Sequence, residues 1–209
     1  MPSTTGRPHP TRTPAHDRAQ DDVREGELAA LRAQVRSLSD RVELRELFDR
    51  YVISLDHADH GGHADQGGQT GETGQAGRAE GDGADEARFA ELFTEDAEFS
   101  YPIGTATGIT GYSAFQRQAR GRWARTHHLS ATHDIRVTGD LATLRVHQIT
   151  THVHQDEARA GDPTEPFDVG GYYDAGAVRT AAGWRLNRIS FHVVWATGRR
   201  LVTFSGLRW

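Results

Sequence analysis

The sequence contains no cysteine. That excludes disulfides and thiol chemistry without fixing the compartment. Lysine is missing too: all 24 basic residues are arginine. With so much glycine and alanine beside it, this reads as codon bias of a GC-rich genome, not as function. No apolar run approaches ~18 residues, so no membrane-spanning helix is expected. The start MPSTTGRPHPTRTPAHDRAQ has no apolar central region of a secretory leader, so a soluble, cytoplasmic protein is the default expectation. The formal net charge is -5. No basic stripe with interleaved aromatics accompanies it, so nucleic acid is not an expected partner. Hydrophobic residues are scarce, at 36%, and the mean hydropathy is -0.65. Part of the chain is therefore expected to lie outside any core. A length of 209 residues suits one domain with extensions.

What is present falls into blocks. Residues 1–20 are rich in Pro, Thr and Arg without periodicity and are expected to be a disordered tail. In residues 21–38 an apolar stripe at helical spacing begins with Leu28, Leu31, Val35 and Leu38 and runs on to Val42, which predicts a leading helix. A stronger stripe follows at Leu44, Leu47, Phe48, Tyr51, Val52 and Leu55. Ser39 or Asp40 is placed to cap this second helix, with Glu43 three residues after Asp40. The leading helix packs either on a partner subunit or on its own domain. Residues 59–86 hold nine glycines, seven acids and one arginine, and no large apolar residue. Such a segment cannot bury enough surface to offset its ordering entropy, so it is expected to be a flexible acidic insertion. DEARFAELFTEDAEFSY then reads as a short helix running into a strand, and GITGYSAFQRQARGRWART as a helix opened near Gly111 and Ser113. From His127 onward, four strand-like stretches are broken by TGD, ARAGDPTEP and TAAG. Consecutive strands joined by turns imply a mostly antiparallel sheet, and helices before sheet imply an α+β fold. Helices packed across one curved sheet would leave a pocket between the layers.

The order of LRELFDRYVISLDHAD, FAELFTEDAEFSY, ITGYSAFQ, THHLSATHDIRVTGDLATLRVH and GGYYDAGAVRTAAGWRLNRISF resembles the SnoaL-like branch of the NTF2-like superfamily. The resemblance runs from about residue 40 to residue 197. It implies a cone-shaped α+β barrel over residues 39–198, with the insertion inside it and a C-terminal tail at 199–209. The superfamily hosts dehydratases, isomerases, cyclases and binding proteins without catalysis, so fold alone does not choose among them. In the dehydratase subgroup an Asp at the end of the first core helix orients a His at the start of a strand, and a Tyr upstream of the Asp often joins them. Here those positions are Asp56, His128 and Tyr51.

The residues support this assignment on their own terms. Asp56 follows Val52 by four residues and so lies near the apolar stripe, where a carboxylate is costly unless paired. An imidazole partner would have its tautomer fixed by Asp56, leaving its other nitrogen as a general base. Tyr51 would donate to a developing oxyanion or leaving hydroxyl. The other reading makes Asp56 a solvated helix end and His128 an ordinary sheet residue. His127 alternates to the opposite face from His128, and strict alternation makes His133 structural or exposed. His152, or else His147, is the candidate second pocket histidine. Arg188 and His192 are candidates from the last strand, where alternation groups Asn187, Ile189, Phe191, Val193 and Trp195 on one face. Phe99, Tyr101 and Trp123 are candidate pocket walls. His57, His60 and His63 look like a metal tract, but they run into glycine, and no metal or other cofactor is expected. GGYYDAG lacks the strand–turn–helix context of a nucleotide site.

The expected activity is that of a cofactor-independent lyase of dehydratase type, acting on a small hydrophobic, cyclic or polyketide-like molecule. Cyclisation or isomerisation needs the same base and is the alternative within catalysis. A ligand-binding module without catalysis is the alternative outside it. A homodimer or higher homo-oligomer is expected.

Overall fold

The structure is a computed structural model that describes residues 14–56, 76–155 and 165–200. The chain divides at Asp40 into two compact units. The first carries the leading part of a single helix, α1 (Pro14–Asp56), whose remainder opens the second unit. Two helices were expected here, separated at Ser39 and Asp40. One forms because neither residue breaks a helix and no glycine or proline lies between Gly26 and Asp56. The helix also starts inside the segment expected as a tail, with Pro14 at its first turn, where a missing N–H costs nothing. Residues 1–13 lie outside the described residues.

In the second unit, α2 (Ala76–Leu92) leads into β1 (Phe93–Tyr101), then β2 (Gly104–Thr107), α3 (Gly108–Arg120), β3 (Arg125–Thr138), β4 (Leu141–Val153), β5 (Phe167–Thr180) and β6 (Gly183–Gly198). The fold is α+β. Helix α2 begins inside the segment expected as a flexible insertion; residues 57–75, with the metal tract of His57, His60 and His63, lie outside the described residues. Helix α3 starts at Gly108, before the expected Gly111, with Thr107 at the N-cap in extended conformation. One sheet runs in the order β2-β1-β6-β5-β4-β3. Neighbours are antiparallel except β1 and β6, which are parallel. The two outer strands β2 and β3 do not pair, so the expected barrel is an open sheet.

The core is built by the stripe the sequence announces. Leu44, Leu47, Phe48, Tyr51, Val52 and Leu55 are all buried on α1. They meet Phe89 and Leu92 of α2, Tyr112 of α3, and Ile135, Leu144, Val146, Tyr173, Leu186 and Ile189 of the sheet. A smaller cluster of Trp123, Phe167 and Val169, flanked by Phe191 and Val193, forms a second apolar wall.

Bulges in β3 and β6 decide which of their side chains face that core. In β3 the register shifts between Ala131 and His133, with Thr132 between them at φ 55°. The shift returns His133 to the inner face. In β6 register shifts leave Asn187 and Val194 without a paired residue. Ile189, Phe191 and Val193 therefore face inward, while Trp195 crosses to the outer face beside Gly170. Strict alternation had placed Trp195 with Val193; each extra residue reverses the pattern.

Candidate active site

The site starts from the last residue of α1. Asp56 is partly buried and receives three hydrogen bonds from β3. The Thr126 hydroxyl donates to Oδ1 at 3.0 Å, and the His128 backbone N–H donates to Oδ2 at 2.9 Å. The His128 Nδ1 lies 2.6 Å from Oδ1. Thr126 and His128 reach the same carboxylate because residues two apart on a strand share a face. Burial pushes the Asp56 carboxyl up, but the bonds from His128 and Thr126 outweigh it and hold it below the ordinary aspartate value. Asp56 is therefore ionised at neutral pH. An ionised carboxylate only accepts, so His128 carries its proton on Nδ1 and keeps Nε2 as the free nitrogen.

His128 lines a cavity of about 140 Å³. That is close to the size of an apolar cavity that holds one benzene ring. Its walls are Leu55, Ile103, Phe115, Trp123, Phe167, Val169, Phe191 and Val193, with polar groups supplied by Tyr101, Gln116, Arg120, Thr126, Thr150 and His152. His152 stands across from His128, with ring centroids 6.4 Å apart. Its Nδ1 lies 2.9 Å from the Phe167 carbonyl oxygen. A carbonyl only accepts, so Nδ1 holds the proton and Nε2 carries a lone pair. Burial pushes the His152 pKa down to about 4, opposed by that hydrogen bond. His152 is a neutral acceptor over the working pH range. Arg120 at the rim donates to Asp85 of α2 at 2.6 Å.

Behind the cavity lies a cluster of phenols. The Tyr51 and Tyr101 hydroxyls are 2.5 Å apart. Tyr112 lies 3.1 Å from Tyr101 and donates to Tyr51 at 3.3 Å. Gln116 Nε2 donates to the Tyr112 oxygen at 2.5 Å. Burial raises the pKa of Tyr51 and Tyr101 well above the ordinary value, and that of Tyr112 to about 12. These phenols are donors, not bases.

Of the residues named from sequence, His128, His152, Trp123 and Tyr101 line the cavity, and Asp56 contacts His128. Tyr51 does not reach the cavity: it is 0% exposed, whereas Tyr101 and Tyr173 are among the residues that line the cavity. Phe99 is core, its ring stacked on Tyr112 at 3.8 Å. His147 is on the outer face beside Tyr172. His192 is on that face too, stacked on Tyr172 and 3.5 Å from Asp174. Arg188 pairs with Gly176 in the sheet and is exposed. These three project away because their strand parity opposes that of Thr150, Tyr173 and Ile189. His133 is structural, 3.1 Å from Asp49 with its ring edge-on to Phe48. His127 is exposed. Sequence reasoning missed Thr126, Gln116 and Arg120. The first was legible as the same-face neighbour of His128, and the second as one helical turn beyond Tyr112. Arg120 had no signal, because its place depends on how α2 and α3 pack. Among the described residues, no group of three His, Cys, Asp or Glu side chains is placed to hold a metal ion.

Comparison with known proteins places this geometry in a family. The description of a SnoaL-like domain matches residues 81–190. Among solved structures, the Kfla4162 protein from Kribbella flavida is 25% identical, with a TM-score of 0.58 over 77% of this chain and 95% of its own. A putative scytalone dehydratase from Novosphingobium aromaticivorans is 18% identical, with a TM-score of 0.57 over 79% and 91%. A hexachlorocyclohexane dehydrochlorinase, LinA type 2, is 15% identical, with a TM-score of 0.58 over 79% and 93%. The last two likenesses are likenesses of fold. No curated protein sequence matches the chain.

Proposed function

The chain belongs to the SnoaL-like domain family, and on that premise we propose that it is a lyase of dehydratase type, acting without a cofactor. Its substrate is a small hydrophobic, cyclic or polyketide-like molecule. The observation that carries this reading is the contact of the Asp56 carboxylate with His128 Nδ1, 2.6 Å apart, on a cavity wall. His128 Nε2 takes the proton from a carbon next to a carbonyl. The electron pair left behind forms the new double bond as the neighbouring C–O bond breaks. The imidazolium, stabilised by Asp56, returns its proton to the departing oxygen, so that water leaves. Tyr101 donates to the carbonyl oxygen as charge builds there. Gln116, Tyr112 and Tyr51 each donate to the next in line, which frees the Tyr101 proton for the cavity. His152 Nε2 accepts from a substrate hydroxyl and orients it toward His128. The cavity volume suits a molecule built on about one six-membered ring.

The test is a panel of cyclic β-hydroxy ketones with the wild type and His128→Ala, followed by mass spectrometry. Loss of one water per turnover identifies a lyase, whereas an unchanged mass identifies cyclisation or isomerisation with the same base. His128→Ala is expected to lose roughly 10²–10⁴-fold in rate. Equal rates in wild type and His128→Ala on every substrate consumed would sink the dyad. Tight binding without turnover would favour a binding module.

A further inference from the structure

The first unit carries an apolar face that the cavity chemistry leaves unused. Leu28, Leu31, Val35 and Leu38 are 45%, 56%, 55% and 65% exposed. They follow one another along α1 at alternating steps of three and four. Val42, 54% exposed, continues the spacing. Inside the second unit it lies on the opposite side of the helix from Leu44, Leu47 and Tyr51, since each residue turns about 100°. Its own core therefore does not cover it. We propose that this stripe is the seam of a parallel, two-stranded coiled coil formed with a second copy of the chain.

The heptad register supports that occupant. With Leu28 at position a, the a positions are Leu28, Val35 and Val42, and the d positions are Leu31 and Leu38. In a parallel coiled coil, valine at a (Val35, Val42) with leucine at d (Leu31, Leu38) favours two chains over three or four. In such a pair each g position faces the e position of the partner's next heptad. Glu27 then faces the partner's Arg32, and Arg41 faces the partner's Glu46. Both pairs join opposite charges. Gln34 facing the partner's Ser39 adds no charge. Arg41 also donates through Nη1 to the Ile135 carbonyl at 2.8 Å, which leaves its remaining N–H groups for the partner. The seam ends upstream, where the preceding d and a positions are Arg24 and Asp21, although the helix itself runs on. About two heptads is short for a coiled coil, so the association is a concentration-dependent equilibrium.

Sedimentation of the full chain across a concentration series tests it. The wild type is expected to self-associate, and Leu31→Glu/Leu38→Glu to lose that association while keeping a cooperative unfolding transition, because neither side chain belongs to the core of the second unit. Arg32→Glu is expected to weaken association several-fold, and Glu27→Arg/Arg32→Glu to restore it. The native chain has no cysteine, so single thiols report orientation cleanly. Leu28→Cys and, separately, Leu38→Cys are each expected to form a disulfide-linked dimer on oxidation, because only a parallel in-register seam brings both positions against their own copies. A wild type that stays monomeric overturns the proposal. So does an assembly whose mass Leu31→Glu/Leu38→Glu leaves unchanged, which would place the contact elsewhere. Cross-linking at one position only would exclude the parallel register.

Discussion

At Asp56 three donors converge on one carboxylate, from the Thr126 hydroxyl, the His128 N–H and the His128 ring. An amide has only one accepting atom, so Asp56→Asn leaves at least one donor facing an N–H. The expected cost is about 1–3 kcal/mol, read as a lower unfolding temperature, with turnover lost because the His128 tautomer is no longer fixed. Stability unchanged in Asp56→Asn would show that the convergence is not maintained in solution. His152 makes a separate prediction. Its folded pKa of about 4 lies below the ordinary value near 6.5, so the unfolded chain binds the extra proton first. Stability from His152 is fully present above about pH 6.5 and is lost as pH falls toward 4. The span corresponds to roughly 3 kcal/mol at most. His152→Gln keeps a donor for the Phe167 carbonyl and removes the titration. Its stability is expected to change less than that of the wild type between pH 7 and pH 5 in denaturant unfolding. The tyrosines separate by position: Tyr101→Phe is expected to lower kcat, since Tyr101 lines the cavity. Tyr51→Phe is expected to cost mainly stability, about 1 kcal/mol, with a smaller effect on rate.

Among the elements, β5 and β6 set the inner face of the site, and two glycines allow their close approach. A Cβ on Gly171 would stand 2.2 Å from the His192 carbonyl oxygen. That neighbour is backbone and cannot swing aside. A Cβ on Gly170 would meet the Trp195 indole at 2.0 Å, and that half-exposed side chain can move. Gly171→Ala is therefore expected to destabilise more than Gly170→Ala, by about 1–3 kcal/mol, with weaker ligand binding because Val193 and Phe191 shift with the bulge. Equal unfolding temperatures for the two variants would refute this ranking. The same bulges explain why the pocket faces of β3 and β6 were misread from alternation, whereas β4, which has no bulge against β5, kept its period from Leu141 to His152.

At the scale of the molecule, the cavity, the contact of Asp56 with His128 and the core all belong to the unit that begins at Arg41. A chain starting at Ser39, which is able to cap the shortened helix, is expected to unfold cooperatively and to keep its ligand response. It is also expected to lose the self-association of the longer chain. Thermal unfolding with sedimentation checks both parts, and a truncated chain without a cooperative transition would show that the first unit is needed for folding.

The apolar stripe of α1 and helices followed by strands were legible in residue order, and Asp56 beside His128 was one of two readings it left open. Each rests on short-range periodicity, or on a resemblance spread over several segments. Long-range packing places Tyr101, not Tyr51, on the cavity wall, turns His147, Arg188 and His192 outward, and holds Arg120 against Asp85. It also decided that the sheet stays open. For Arg188 and His192 the reason is that one extra residue, Asn187, reverses the side chains after it, and nothing in local composition marks where the bulge falls; His147, on a strand without a bulge against β5, turns outward because its parity opposes that of Thr150. Which hydroxyl fronts a buried cluster likewise depends on contacts between residues far apart in the chain, as with Tyr51 and Tyr101.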